Sequence, residues 1–367
     1  MHTVFASPLR YTQGPGVTAT LGQEMAGLGL HGPVCILAGK SARRALESTW
    51  AATFGAAKLS YGVYAFGGEC SVPEIARARA AAEAMGARVI VAAGGGKALD
   101  AGRAVAAEIS VPAVICPTIA STDSPCSAIS VIYTESGEVE GSRKHDRNPA
   151  LVLVDSAVIA AAPLRMLVAG MGDALSTWFE ARACIRSNAR NMGGGACTRA
   201  VAALAELCWR TLQEDGVAAV QAMKSPGPVP APALERIIEA NTLLSGLGFE
   251  SAGLAGAHSI HNGLCEAPEV HAYLHGEKVA FGTICQLVLE QAPAEEIAQV
   301  LAFCRSVGLP TTLEAIGLAN LDDAMLARIA ARSVIPGEWI HNEPFPVTAD
   351  MVASAIRAAD RIGRQRA

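Results

Sequence analysis

The chain has 367 residues, 51% hydrophobic and 17% charged, which is too long for one compact core and too apolar for a disordered chain, so two globular domains are expected. A formal net charge of −5, with no long Lys/Arg block, argues against nucleic acid or an anionic membrane surface as the main partner and leaves a small molecule. Apolar stretches are interrupted before the roughly 18–20 residues that span a bilayer. The opening "MHTVFASPLRYTQGPG" carries no long apolar stretch after a basic one, so no signal peptide is read and a cytoplasmic location is expected.

In chain order, "VCILA" at 34–38 is a short apolar strand, followed by a glycine and the helix-like "SARRALESTWAATFG". "ARVIVAAGGGKALDAGRAVAAEI" repeats strand, turn and helix, and "VPAVICPTIAS" adds a buried strand ending in small polar residues. Continuous apolar strands alternating with helices imply a parallel sheet covered on both faces. In "SVIYTESGEVEGSRKHDRNPALVLVDS", two strand-like runs flank a polar, turn-rich middle, which suggests a hairpin. After Pro163 nearly every segment has helical spacing, as in "ALSTWFEARACI" and "RAVAALAELCWRTLQED". The expected architecture is an α/β Rossmann-like domain over 1–163 and an all-α domain over 164–367. "MKSPGPVPAP", 223–232, reads as a proline-rich loop between helices of the second domain. The ten cysteines are scattered with no C-x-x-C pair and read as buried free thiols.

Three stretches carry possible chemistry. "VIVAAGGGKALDAGRAV" ends a strand, passes through Gly94, Gly95 and Gly96 and opens a helix, where free N–H groups and the helix dipole favour an anion such as a dinucleotide pyrophosphate. It is neither G-x-G-x-x-G nor a Walker loop, and a turn that binds nothing has the same signature. "CPTIASTDSPCSAISVIYT" places Thr118, Ser121, Thr122, Asp123, Ser124 and Ser127 past the carboxyl end of the next strand, where open α/β sheets bind ligands. A loop that satisfies its own backbone is the alternative. The third stretch, 255–282, holds four of the eight histidines, at 258, 261, 271 and 275. His258 and His275 suit a catalytic zinc, which takes three protein ligands and keeps a position open. Asp173 is the candidate carboxylate, though an acid near a helix start also interacts with the dipole, and the spacing does not decide between the two. His261 and His271 fit hydrogen-bonded histidines lining the same cleft.

Taken together, "FGGECS", "GGGKALD", "PTIASTDSPCSAISVIYT", "GMGDALSTWFEARAC", "PALERIIEAN", "SGLGFESAGLAGAHSIHNGL" and "HGEKVAFG" resemble the bacterial glycerol dehydrogenase family, in the iron-type (group III) alcohol dehydrogenase superfamily, over about residues 5–360. The resemblance implies the dehydroquinate synthase-like fold: an N-terminal NAD-binding α/β domain, a C-terminal helical domain and zinc in the cleft between them. It assigns the zinc ligands to Asp173, His258 and His275, and a glycerol-contacting, catalytic role to Asp123. Cofactor contacts carry over to Gly95, Gly96, Lys97, Asp100, Thr118, Ser121, Ser127, Ile129 and Tyr133, beside Gly94 of the same turn. Iron-binding relatives have a further His one helical turn after the aspartate, where this chain has Thr177, so three-ligand zinc is expected in place of iron.

The implied reaction is reversible oxidation of glycerol, or another small vicinal diol, to dihydroxyacetone by hydride transfer to NAD, with His271 as candidate proton relay. Gly39, at the cofactor's ribose position, stands where similar glycerol dehydrogenases carry Asp, and with Lys40, Arg43 and Arg44 nearby it leads to an expectation that NADP is tolerated. Other polyol dehydrogenases, a glycerol 1-phosphate dehydrogenase using "GSRKHDRNP", and a lyase like 3-dehydroquinate synthase are the rival activities. The resemblance also implies a homo-oligomer, with an octamer as the expected form.

Overall fold

The structure, a computed structural model, describes residues 2–225 and 230–365. The chain divides into two compact units. The first comprises Ser7–Pro163 and Pro226–Leu243, and the second comprises Met1–Ala6, Leu164–Ser225 and Leu244–Ala367.

In the first unit, strands β1 (Tyr11–Gly14), β2 (Val34–Ala38), β3 (Tyr61–Ala65), β4 (Val89–Gly94), β5 (Ala113–Pro117) and β8 (Leu151–Asp155) form one sheet in the order β1-β8-β5-β4-β2-β3. Every pairing in it is parallel. Strand periodicity sends Val34, Ile36, Val89 and Val91 to one face, where they pack with Trp50 and Phe54 of the Lys40–Ala56 helix. Cys35, Leu37 and Ile90 face the other side, against Ala101, Ala104 and Val105 of the Gly96–Glu108 helix. The helix after β2 and the helix after β4 therefore cover opposite faces of neighbouring strands. That divergence is a topological switch point, and it leaves a crevice at the carboxyl ends of β2 and β4.

The expected hairpin is corrected. β6 (Ile129–Tyr133) pairs antiparallel with β7 (Val139–Lys144), the polar middle itself, while 151–155 enters the main sheet beside β1 and β5. The reason is burial: β8 is apolar on both faces and completely covered, whereas β7 is almost wholly exposed and needs no apolar run.

The second unit has no named strand among the described residues; its chain is helical, with an isolated bridge between Thr3 and Ala196. No described helix is long and apolar enough to cross a membrane. Two segments depart from a boundary drawn only at 163/164. Residues before Ser7 belong with the helical unit, where Asn191 Nδ2 donates to the Val4 carbonyl at 2.8 Å and the Ala6 N–H to Ser251 Oγ at 2.9 Å. The Pro232–Glu239 helix belongs with the sheet, because Gln13 Nε2 donates to Glu235 Oε2 at 2.7 Å and the Tyr11 and Thr242 hydroxyls pair at 2.8 Å. Of the proline-rich stretch 223–232, residues 226–229 lie outside the described residues. None of the ten cysteines is in a disulfide, and eight of them are buried.

Candidate metal and nucleotide sites

The Leu164–Ser187 helix is buried along most of its length and carries Asp173, which is 0% exposed. The Gly256–Leu264 helix brings His258, and the Leu274–His275 step opens the His275–Leu289 helix. Two glycines let these helices approach. A Cβ on Gly276 would stand 1.8 Å from the Ala169 carbonyl oxygen, and one on Gly172 would stand 2.3 Å from that of Gly276. Each glycine neighbours a site residue in sequence, so the backbone contact itself draws Asp173 and His275 together.

Asp173 Oδ1 lies 3.5 Å from His258 Nε2 and 3.2 Å from His275 Nε2, and one ligand atom from each residue falls within 4.8 Å of the other two. Burial works against ionisation of Asp173, but the imidazoles of His275 and His258 outweigh it and hold the carboxyl below the usual carboxylate range. For His258, burial again opposes charge and is outweighed by Glu180 and Asp173, so its pKa is raised.

The outer partners orient both rings. His258 Nδ1 lies 2.6 Å from Glu180 Oε2, whose other oxygen accepts the N–H groups of Ala255 and His258. His275 Nδ1 lies 3.0 Å from His261 Nε2, and His261 Nδ1 lies 3.1 Å from Asn262 Oδ1. Burial, with His275, Lys278 and His258 nearby, pushes the His261 pKa down, so a neutral His261 donates to Asn262 and accepts from His275. With the proton of each ring that bonds outward placed on Nδ1, Nε2 is the atom turned toward Asp173, and it is there that a metal would displace a proton and be bound. Two imidazole nitrogens and one carboxylate oxygen, with outer-shell bonds already made, fit a divalent transition ion. Thr177, one turn beyond Asp173, is committed elsewhere: its hydroxyl pairs with Ser245 Oγ at 2.8 Å.

His271 is not part of this cluster. It is exposed on the short 3₁₀ turn Pro268–Ala272, with Nε2 3.1 Å from the Cys265 carbonyl. A proline-initiated turn carries it outward, and the inner histidine is His261. Sequence reasoning passed over Glu180 and Trp339, whose indole packs edge-on to His258 with centroids 6.3 Å apart. The signal for Glu180 was its spacing, seven residues and two turns after Asp173 on one helix face.

In the first unit, Gly94, Gly95 and Gly96 link β4 to the Gly96–Glu108 helix at the switch point. The Thr118 N–H donates to the Gly94 carbonyl at 3.0 Å, tying the Ser/Thr-rich loop to this turn. A Cβ on Gly96 would meet Thr122 Oγ1 at 3.7 Å, and one on Gly102 would strike Ala92 Cβ at 2.4 Å, which is why the helix lies so close to its strand. Gly39, after β2, donates its N–H to the Ala93 carbonyl at 2.9 Å. Lys97 Nζ bonds Glu69 Oε2 at 2.5 Å and lies 4.6 Å from the Tyr133 ring centroid. Asp123 stands at the first position of the 3₁₀ turn Ser124–Cys126, makes no side-chain capping bond to it and is buried; Ser121 is half-buried in the same loop.

Asp100 and Ser127 face inward. Asp100 Oδ1 accepts from Arg103 at 2.7 Å and from Ser124 Oγ at 2.9 Å, and Oδ2 accepts the Val131 N–H at 3.1 Å. Arg103 also donates to the carbonyls of Ser124 and Ile129, and the Ser127 hydroxyl donates to that of Ser124. This buried pair therefore shapes the loop that carries Asp123.

The model of the iron-containing alcohol dehydrogenase family matches residues 8–156. A curated relative, the glycerol dehydrogenase of Escherichia coli O6:H1, is 48% identical over 100% of this chain and 98% of its own. The chain belongs to the iron-containing alcohol dehydrogenase family and is an oxidoreductase. Its more particular likenesses include the crystal structure of a probable glycerol dehydrogenase from Sinorhizobium meliloti 1021, which superposes with a TM-score of 0.92 at 44% identity and covers 100% of both chains. A glycolaldehyde reductase from Halobacterium salinarum is 44% identical over 100% of this chain and 99% of its own.

Proposed function

We propose that the protein is a zinc-dependent, NAD-linked glycerol dehydrogenase that reversibly oxidises glycerol and small vicinal diols at a secondary hydroxyl, giving dihydroxyacetone from glycerol. The observation that carries this reading is the convergence of Asp173, His258 and His275 on one point of the helical unit. Similarity to glycerol dehydrogenases along the whole chain supports the substrate class. Zinc is favoured over iron because a mixed imidazole and carboxylate set binds Zn²⁺ more tightly than Fe²⁺, and because Thr177 supplies no third imidazole as a fourth ligand. A divalent ion on these three side chains supplies Lewis acidity that lowers the pKa of a substrate hydroxyl, and NAD supplies the hydride acceptor.

The chain's own residues provide position and charge. Asp173 contributes the fixed negative charge, and Glu180 and His261 fix the ring planes of His258 and His275. Gly94, Gly95 and Gly96, with Lys97, Thr118 and Ser121, would hold the dinucleotide at the switch point. Asp123 is retained as the contact for a substrate hydroxyl. Asp100, Ser127 and Ile129 serve through the loop they shape, and His271, exposed and bonded to the Cys265 carbonyl, stands outside the cluster and relays no proton. A cytoplasmic homo-oligomer is part of the same reading.

The test is a panel of glycerol, 1,2-propanediol, 2,3-butanediol and glycerol 1-phosphate with NAD, following the absorbance of reduced cofactor, before and after chelation and after adding back Zn²⁺ or Fe²⁺. Glycolaldehyde with NADH tests the reductase activity named for the halobacterial relative. Turnover of glycerol that chelation removes and Zn²⁺ restores is expected. Full activity in metal-free enzyme would refute the reading, as would no net NADH from any diol.

A further inference from the structure

We infer that the crevice beside β2 binds the 2′-phosphate of NADP, so that the protein takes NADP at least as well as NAD; the inference rests on the dinucleotide reading above. The Gly39 backbone is hydrogen-bonded to Ala93, one residue before the Gly94–Gly96 turn. With its pyrophosphate on that turn, a dinucleotide lays its adenosine over the end of β2. A crevice of about 560 Å³ opens there, its lining including Lys40, Ser41, Arg43, Arg44, Glu47 and Phe66. That is room for a ribose and a base.

NAD-selective sites of this topology place a carboxylate after the strand, where it bonds the ribose 2′-hydroxyl and repels a 2′-phosphate. Here the residue is glycine, and nothing in the backbone demands one. Gly39 has φ −63° and ψ 151°, which any residue adopts, and a Cβ would meet only Ala93 O at 3.8 Å and Gly94 Cα at 3.9 Å. The missing side chain removes a negative charge from the position between Ala38 and Lys40, both of which line the crevice. The one acid in the lining, Glu47, is paired with Arg43 at 3.0 Å. Among the described residues, Lys40 and Arg44 have no carboxylate partner, and both are exposed at the start of the Lys40–Ala56 helix. Two cations beside the Ser41 hydroxyl suit a phosphate near the −2 charge state.

Isothermal titration calorimetry with adenosine 2′,5′-bisphosphate, 5′-AMP, NADPH and NADH tests this without turnover. The bisphosphate is expected to bind about tenfold more tightly than 5′-AMP at low salt, with the gap narrowing as salt rises. Gly39→Asp should reverse the preference, and the double change Lys40→Ala, Arg44→Ala should close the gap by weakening the bisphosphate about tenfold more than 5′-AMP. Equal affinities, or preference for 5′-AMP, in the wild-type protein overturn the inference; NADH that still binds then leaves the dinucleotide reading standing. If neither dinucleotide binds, both fall together. A bisphosphate preference that the double change leaves untouched overturns the assignment to this crevice.

Discussion

Glu180 is placed to decide how well His258 can serve a metal. Its carboxylate, fully buried, accepts from the ring and from two backbone N–H groups, so the imidazole is held in one tautomer and one plane. Glu180→Gln should lower metal affinity by about 10- to 100-fold, read as bound zinc after dialysis against a graded chelator, with far-ultraviolet circular dichroism unchanged. Unchanged zinc content would deny Glu180 that role. Glu343 is a different buried acid. Burial, then the charge of Glu290, raises its pKa to about 8, although its Oε1 accepts the Gly256 N–H at 3.1 Å. An unfolded glutamate loses its proton near pH 4.5 while the folded one keeps it, so stability is expected to fall by about 1.4 kcal/mol per pH unit between those values. Glu343→Gln should flatten that slope in urea melts from pH 5 to 8. A slope that persists would mean Glu343 is ionised in the fold.

At the scale of elements, close backbone approach and one buried ion pair set the geometry. Gly276→Ala pushes a methyl into the Ala169 carbonyl and must part the helices carrying Asp173 and His275. We expect a loss of stability of about 1–3 kcal/mol and weaker zinc retention. Arg103, 2% exposed, ties Asp100 to the carbonyls of Ser124 and Ile129. Arg103→Met strands Asp100 without its cation and should cost about 3–5 kcal/mol, measured by chemical denaturation. If the variant is as stable as the parent, the pair is not what holds the 118–129 loop.

Across the whole molecule, the proposed labour is divided between the units: the switch-point crevice belongs to the first and the His₂Asp cluster to the second. Asp173→Asn, His258→Ala and His275→Ala should each abolish turnover while NADH binding, followed by its fluorescence, survives. Substantial activity in any of them without metal would exclude the zinc role. Chelation should lower the melting temperature, since an ion held at 1,000 times its Kd stabilises the fold by about 4 kcal/mol. A melting temperature indifferent to chelator would argue that no ion is bound in the native state.

Much of this was legible in the amino-acid order. β2, β4 and β5 announced themselves as apolar runs ending in glycine or small polar residues, because a strand covered on both faces needs apolar residues at every position. β7 was missed because an exposed hairpin strand needs none of them. The motifs around Asp173, His258 and His275 marked those three residues, but the spacing of the histidines alone did not say which of the four face inward. That choice belongs to packing: the 3₁₀ turn takes His271 to the surface, and the close approach of the Gly256–Leu264 and His275–Leu289 helices, where Gly282 faces the Ala257 carbonyl, sets His261 behind His275. Glu180, Trp339 and the Asp100–Arg103 clamp likewise acquire their meaning only in three dimensions. Local sequence determines what each segment can become, through propensity and periodicity; which side chains then meet depends on contacts between residues far apart in the chain, and these exist only once the helices have packed.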